Sequence, residues 1–250
     1  MRADAPGLIR REGLSAAQAL DWQRQTASEV GAGLRPPGTL LWRCAPALIV
    51  TRPESRLPGF GEACEHLQAA GWPVCVRDCG GSAFPVGPHS VQIARILPRR
   101  PGSSLERLYG CMAKPLIAAL RRLGVPACLG AVPDAFCAGS RDVAAGGRKL
   151  AGLAQAWRGQ PGRGGYAMIT ASVLLGGEPD SLCRVVNRFQ RMAGAALRCR
   201  PQAVTAVRWE QSAVPDCAAL SRAFDAALAE ALRADTADIA TPPPVAAEAV

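Results

Sequence analysis

Histidine, lysine and aromatic residues are all scarce in this chain: two histidines, two lysines and 5% aromatics in 250 residues. With only His66 and His89 available, and cysteine spacings such as Cys75/Cys79 and Cys128/Cys137 that fit no common zinc pattern, no metal site is expected. So few aromatics leave no surface on which nucleic-acid bases could stack. The N-terminal MRADAPGLIRREGLS carries basic residues but no apolar core of the kind a secretory signal needs. No run approaches the ~18 uninterrupted apolar residues of a membrane span. The expectation is a soluble, cytoplasmic protein with neither a nucleic-acid nor a membrane partner.

Ten cysteines are present, and in a chain of this size without a signal they read as free thiols of a reducing compartment rather than a disulfide framework. The net charge of +9 is dispersed, with only short pairs such as Arg10–Arg11, Arg99–Arg100 and Arg121–Arg122. A dispersed positive field favours an acidic protein partner. Of the 29 basic residues, 27 are Arg and only Lys114 and Lys149 are Lys. In such a chain a Lys marks a place where a compact, tunable ammonium has a use. Lys114 falls on an ordinary helical stretch; the neighbours of Lys149 are more informative.

Periodicity gives an amphipathic helix over 14–33, an apolar strand over 39–51, a helix over 59–70, a strand over 72–77 and an alternating strand over 89–97. Ser103 and Glu106 form a capping-box pattern for a helix that runs to Gly124 with Pro115 inside it, where a kink is expected. From 125 to 175 the pattern is strand and loop, with a turn at Gly146-Gly147, and helices follow over about 181–198 and 216–233. There is no repeat and no linker, so residues 1–235 read as one domain. The Pro- and Ala-rich stretch 236–250 reads as a disordered tail.

Two constellations carry chemistry. Arg77-Asp78-Cys79-Gly80-Gly81 delivers a Gly pair from a strand into a loop, where the backbone can approach a ligand and Arg77 can hold a carboxyl or carbonyl oxygen. Taken alone this reads first as a turn. The second is Pro133 to Val143, with Cys137 on a Gly/Ser loop, followed across the Gly146-Gly147 turn by Arg148-Lys149-Leu150-Ala151-Gly152. The turn can fold Lys149 back toward Cys137, where an ammonium favours the thiolate and can hydrogen-bond an acyl carbonyl. The ordinary role of a cysteine as a small buried hydrophobe suits Cys44, Cys64, Cys75, Cys111, Cys183 and Cys199, and suits Cys137 poorly.

Arg77-x-x-Gly80-Gly81, Val91-Gln92-Ile93, Phe136-Cys137-x-Gly139-x-x-Asp142, Gly147-Arg148-Lys149-Leu150-Ala151-Gly152-x-x-Gln155 and Arg163-Gly164-Gly165 occur in an order that resembles the biotin/lipoate protein ligase and lipoate–octanoate transferase superfamily, over roughly residues 15–210. The loop cysteine is similar to that of the cysteine-dependent octanoyl and lipoyl transferases. The resemblance implies an α+β fold, a mixed β-sheet flanked by helices as in the biotin/lipoate protein ligase catalytic domain, with an acyl tunnel ending at the lysine. It implies a cysteine-dependent acyltransferase of protein lipoylation in which Cys137 forms an acyl thioester and Lys149 assists. Arg77, Gly80, Gly81, Gln92, Asp142, Gly152 and Gln155 would be substrate-binding. The donor would be an acyl carrier protein or the glycine-cleavage H protein, and the acceptors the lipoyl domains of 2-oxoacid dehydrogenases. No cofactor is then required. The alternatives are an ATP-dependent lipoate ligase without its accessory domain, and a non-catalytic lipoyl- or acyl-binding protein of the same fold. The sequence departs from the family pattern at Gln92, where Asn is usual, and at Cys79, where Ser or Thr is frequent and a second thiol competes with Cys137 as nucleophile. The histidine often found near Arg163-Gly164-Gly165 is missing, which leaves His89 as the one nearby base.

Overall fold

The structure, a computed structural model, describes residues 7–211 and 216–239. In chain order the elements are β1 (Leu8–Leu14), α1 (Ala16–Gly31), β2 (Gly38–Cys44), β3 (Ala47–Thr51), α2 (Phe60–Ala69), β4 (Val74–Arg77), β5 (Phe84–Val86), β6 (Ser90–Pro98), α3 (Leu105–Arg122), β7 (Cys128–Gly130), β8 (Asp142–Ala145), β9 (Arg148–Gly159), β10 (Gly165–Leu174), α4 (Pro179–Ala193) and α5 (Cys217–Ile239). Seven strands form one mixed sheet in the order β1-β2-β6-β10-β9-β8-β7, and three form a second in the order β4-β3-β5. This is the α+β fold with a mixed sheet flanked by helices that the sequence motifs imply.

The apolar run 39–51 is two strands, not one. Pro46 has no N–H for a sheet ladder, so the chain leaves the large sheet after Cys44 and enters the small one at Ala47. α1 begins with a full capping box between Ser15 and Gln18. The N-cap of α3 is Ser104, whose side chain accepts from the Arg107 N–H. Ser103 instead accepts from the Arg100 N–H, one residue earlier than a cap.

Inside α3, Pro115 cannot donate to the Cys111 carbonyl one turn back. That carbonyl accepts from Arg95 of β6 at 2.6 Å, and the same guanidinium is paired with Asp235 of α5 at 2.6 Å. α5 runs to Ile239, past the expected boundary at 235, because no Gly or Pro interrupts the Ala-rich sequence between 216 and 241. Residues 240–250 of the expected tail lie outside the described residues.

Two apolar cores lie on opposite faces of the large sheet. One packs it against α3 and α5 through residues such as Ile93, Leu116, Ile169 and Phe224. The other packs it against α1, the small sheet, α2 and α4 through Leu40, Trp42, Phe84, Met168 and Phe189. Cross-strand register sets rows of side chains on this second face. Trp42, Gln92, Ser172 and Gly152 form one row, and Leu40, Ala94, Thr170 and Ala154 the next. Toward β9 the residues of both rows become small. Among the described residues, no helix is long and apolar enough to cross a membrane.

Candidate active site

The β8–β9 hairpin turns at Gly146 and Gly147, with φ of +54° and +74°, the paired left-handed conformation that a tight type I′ turn demands. A β-bulge follows. Val143 pairs with Ala151 but Ala144 pairs with Lys149, so Leu150 is an extra residue on β9. The bulge reverses the alternation and puts Lys149 on the same face as Gly152, where a Cβ would come within 3.2 Å of the Lys149 Nζ. Lys149 is fully buried. Its ammonium pairs with Asp142 Oδ1 at 2.9 Å and donates to the backbone carbonyl of Cys137.

Cys137 lies on the loop between β7 and β8, at a left-handed φ of +49°, a conformation that costs an L-residue roughly 1–2 kcal/mol. Phe136 anchors it by packing edge-on against Phe84 of β5, ring centroids 4.9 Å apart, with both rings buried. The sulfur of the half-buried Cys137 receives two donors, the Ser82 N–H from the facing loop and Arg77 Nη2 from the end of β4, each at 3.2 Å. Arg77 also braces that loop by donating to the Ser82 carbonyl at 3.1 Å. Gly81 has to be glycine on two counts: its φ is +103°, and a Cβ would stand 2.6 Å from the Cys137 sulfur.

Burial alone would raise the Cys137 thiol. The Arg77 guanidinium, the Lys149 ammonium and the Ser82 and Arg77 hydrogen bonds outweigh it, and the net direction is down from the ordinary thiol value. Cys79 moves the other way. It is 3% exposed, burial dominates over Arg77 and a Thr170 hydrogen bond, and its thiol is pushed up. Of the two thiols, that of Cys137 is therefore the more readily ionised.

The remaining site residues divide. Gln92 lies on the sheet face under this loop, between the hydroxyls of Ser90 and Ser172. Gly152 leaves room beside the ammonium. Gly80 is exposed, with open space where a side chain would be. Asp142 is buried and both of its oxygens are engaged internally, one by Lys149 and the other by the Gly139 N–H at 3.0 Å. It is a brace for the lysine and the cysteine loop rather than a group facing an incoming molecule. Burial raises its carboxyl more than the Lys149 ammonium and the Gly139 N–H lower it. Gln155 is not in the site. Beyond the bulge its side chain belongs to the opposite face, donating to the Leu105 carbonyl at 2.9 Å and accepting from the Trp157 indole at 2.8 Å. His89 stands beside Gly87, Gly177 and Trp72 at the start of β6, away from the sulfur's neighbours. Burial lowers its imidazole against a Pro85 backbone hydrogen bond. Among the described residues, no group of three or more His, Cys, Asp or Glu could hold a metal ion.

The sequence did not single out Ser82 or Glu54. Glu54 is buried and accepts from the Ala83 N–H, directly after the Ser82 donor. A backbone N–H has no side-chain signature, and the one available signal was that Ser82 follows a Gly-Gly pair.

The site is thus a thiol held between a guanidinium and a backbone N–H, beside a buried lysine and a row of small residues, in a mixed-sheet α+β domain. The chain belongs to the lipoyl protein ligase A/B catalytic domain family, whose model matches residues 15–228. It is 30% identical over 179 residues to an octanoyl-[GcvH]:protein N-octanoyltransferase of Kyrpidia tusciae, which covers 69% of this chain and 62% of the relative. It is 27% identical over 164 residues to the protein of that description in Geobacillus kaustophilus, over 65% of this chain and 56% of the relative. These matches therefore span under two thirds of each relative's length. An uncharacterised protein of Cupriavidus necator is 29% identical over 221 residues, 82% of this chain and 85% of the relative. Among solved structures, lipoate-protein ligase A bound with ATP superposes with a TM-score of 0.67 at 18% identity, covering 90% of this chain and 83% of the ligase.

Proposed function

We propose that this chain is a protein acyltransferase that moves an octanoyl group from a carrier protein to a lysine of a lipoyl-domain protein, through a thioester on Cys137. The observation that carries the reading is the sulfur's setting. Cys137 Sγ lies 3.2 Å from two donors and its thiol is lowered, while the second thiol of the neighbourhood is buried and raised. A site that served only to bind an acyl chain would gain nothing from an activated thiolate. Relatives described as octanoyl-[GcvH]:protein N-octanoyltransferases support octanoyl as the group and an H-protein amide as the donor. An acyl carrier protein thioester is the other donor of suitable chemistry.

The Cys137 thiolate attacks the acyl carbonyl, forming C–S, and the C–N bond of the donor amide breaks as the leaving lysine amine takes up a proton. The acceptor amine then attacks the thioester, C–N forms, C–S breaks, the thiolate returns and a proton is lost. Each half is easier than direct exchange between two amides. Of the three Lys149 N–H donors, two hold Asp142 and the Cys137 carbonyl; the third is available to an acyl oxygen arriving over Gly152. Because the incoming acyl group is already joined to a carrier, the reaction needs neither ATP nor another cofactor.

Intact-mass measurement of the protein incubated with an octanoylated H protein checks this. One octanoyl adduct is expected without ATP, absent from Cys137→Ala and discharged by a lipoyl domain. No adduct in the wild type, together with an absolute need for ATP, would overturn the reading in favour of a ligase.

A further inference from the structure

The donors to the Cys137 sulfur come from the end of β4, at Arg77, and from the loop that follows it, at Ser82, so something must hold that strand end and loop at the right height. Glu54, in the 3-10 turn Glu54–Arg56 after β3, is 7% exposed and lies in neither chemical constellation of the sequence. Its Oε1 accepts from the Ala83 N–H at 2.9 Å and from Gln190 Nε2 of α4 at 2.6 Å. Its Oε2 accepts from the N–H and the hydroxyl of Thr51, both at 2.9 Å. Thr51 is the β3 residue in register with Arg77 of β4. Ala83 directly follows Ser82. One carboxylate thus ties down the end of β3, the strand paired with the one that carries the guanidinium, and the peptide next to the N–H that meets the sulfur.

We propose that Glu54 is a positioning residue for acyl transfer, acting on the sulfur only through Ser82 and Arg77. A neutral amide cannot replace it. Each oxygen already accepts from two donors, so whichever way a glutamine side chain is turned, its NH2 faces a backbone N–H, of either Thr51 or Ala83. That orphaned N–H must turn away, and the segment carrying it moves. The inference rests on the acyl-transfer reading, but its test does not.

The test is the pH dependence of iodoacetamide alkylation at Cys137, read on the Cys137 peptide by mass, alongside the rate of adduct formation with octanoylated H protein. In folded Glu54→Gln, with a cooperative melt as the check, the alkylation midpoint should rise by about one pH unit. Adduct formation should fall in step with the thiolate fraction, by up to about tenfold at a pH below both midpoints. A folded Glu54→Gln protein with an unmoved midpoint overturns the proposal. If that variant does not fold, Thr51→Val decides. It removes one hydroxyl donor from Oε2, and a smaller upward shift supports the proposal while an unmoved midpoint overturns it. Failure of the wild type to form an adduct, with its alkylation midpoint still low, would sink the transfer reading alone.

Discussion

At the residue scale, two charges and one backbone N–H determine how readily Cys137 ionises. The thiolate is favoured by Arg77, Lys149 and Ser82 against burial, so alkylation of Cys137 should rise with pH and level off at a midpoint below the ~8.5 of an ordinary cysteine. Protonation on the acid side switches the nucleophile off. A midpoint at or above the ordinary value would remove the electrostatic account. Lys149→Arg should leave a folded protein that has lost at least about tenfold in transfer, because a guanidinium does not fit the space between Asp142 and Gly152 and cannot give up a proton; octanoyl-transfer rates check it. Gly81→Ala should cost more still. It places a Cβ against the sulfur in a backbone conformation that disfavours alanine, and the same assay should read near background. That Cys137, Lys149, Arg77 and Gly81 come together was legible in the sequence because each is an unusual residue for its surroundings. Asp142 was found but given an outward role. Nothing in a one-dimensional string shows that both of its oxygens are occupied by Lys149 and Gly139. Glu54 and Ser82 were passed over because they act through backbone groups.

At the scale of elements, sequence periodicity misleads wherever a strand's course depends on its partner. Alternation counted from Lys149 would put Gln155 on the lysine's face, yet the bulge at Leu150 arises from pairing with β8 and reverses the parity between them. Pro46, by contrast, was visible, and its missing N–H gave sufficient reason to divide 39–51. The helix α3 shows the same dependence on context. Its proline is tolerated because Arg95 takes over the orphaned Cys111 carbonyl while pairing with Asp235, both side chains being nearly buried. Arg95→Met should therefore destabilise the protein by about 3 kcal/mol, the scale for removing one partner of a buried pair. Adding Pro115→Ala should recover about 1 kcal/mol by restoring the helical hydrogen bond. Denaturant midpoints of the single and double variants test the coupling, and strict additivity would show that the two residues act independently.

For the molecule as a whole, the fold class followed from the family motifs, and the two-core arrangement explains why they hold together. The large sheet is buried on both faces, and the row of small residues is on the face shared with the small sheet. The net charge of +9 acts over longer distances. If the carriers are acidic, kcat/KM for transfer between them should fall steeply as salt rises from low to near-physiological ionic strength, while alkylation of Cys137 by an uncharged reagent should barely change. A salt-independent kcat/KM would assign the charge to some other purpose. The scarcity of lysine has a consequence of its own. An enzyme that carries an activated acyl thioester endangers every free amine within reach, its own included. Here 27 of 29 cationic side chains are guanidinium groups, which do not attack thioesters at neutral pH, and one of the two lysines, Lys149, is buried with its amine held by Asp142 and the Cys137 carbonyl. Under the proposed acyl transfer, such a surface would offer the thioester few competing amines. Prolonged incubation with donor should leave stable octanoyl amides at Lys114 and the N-terminal amine at most.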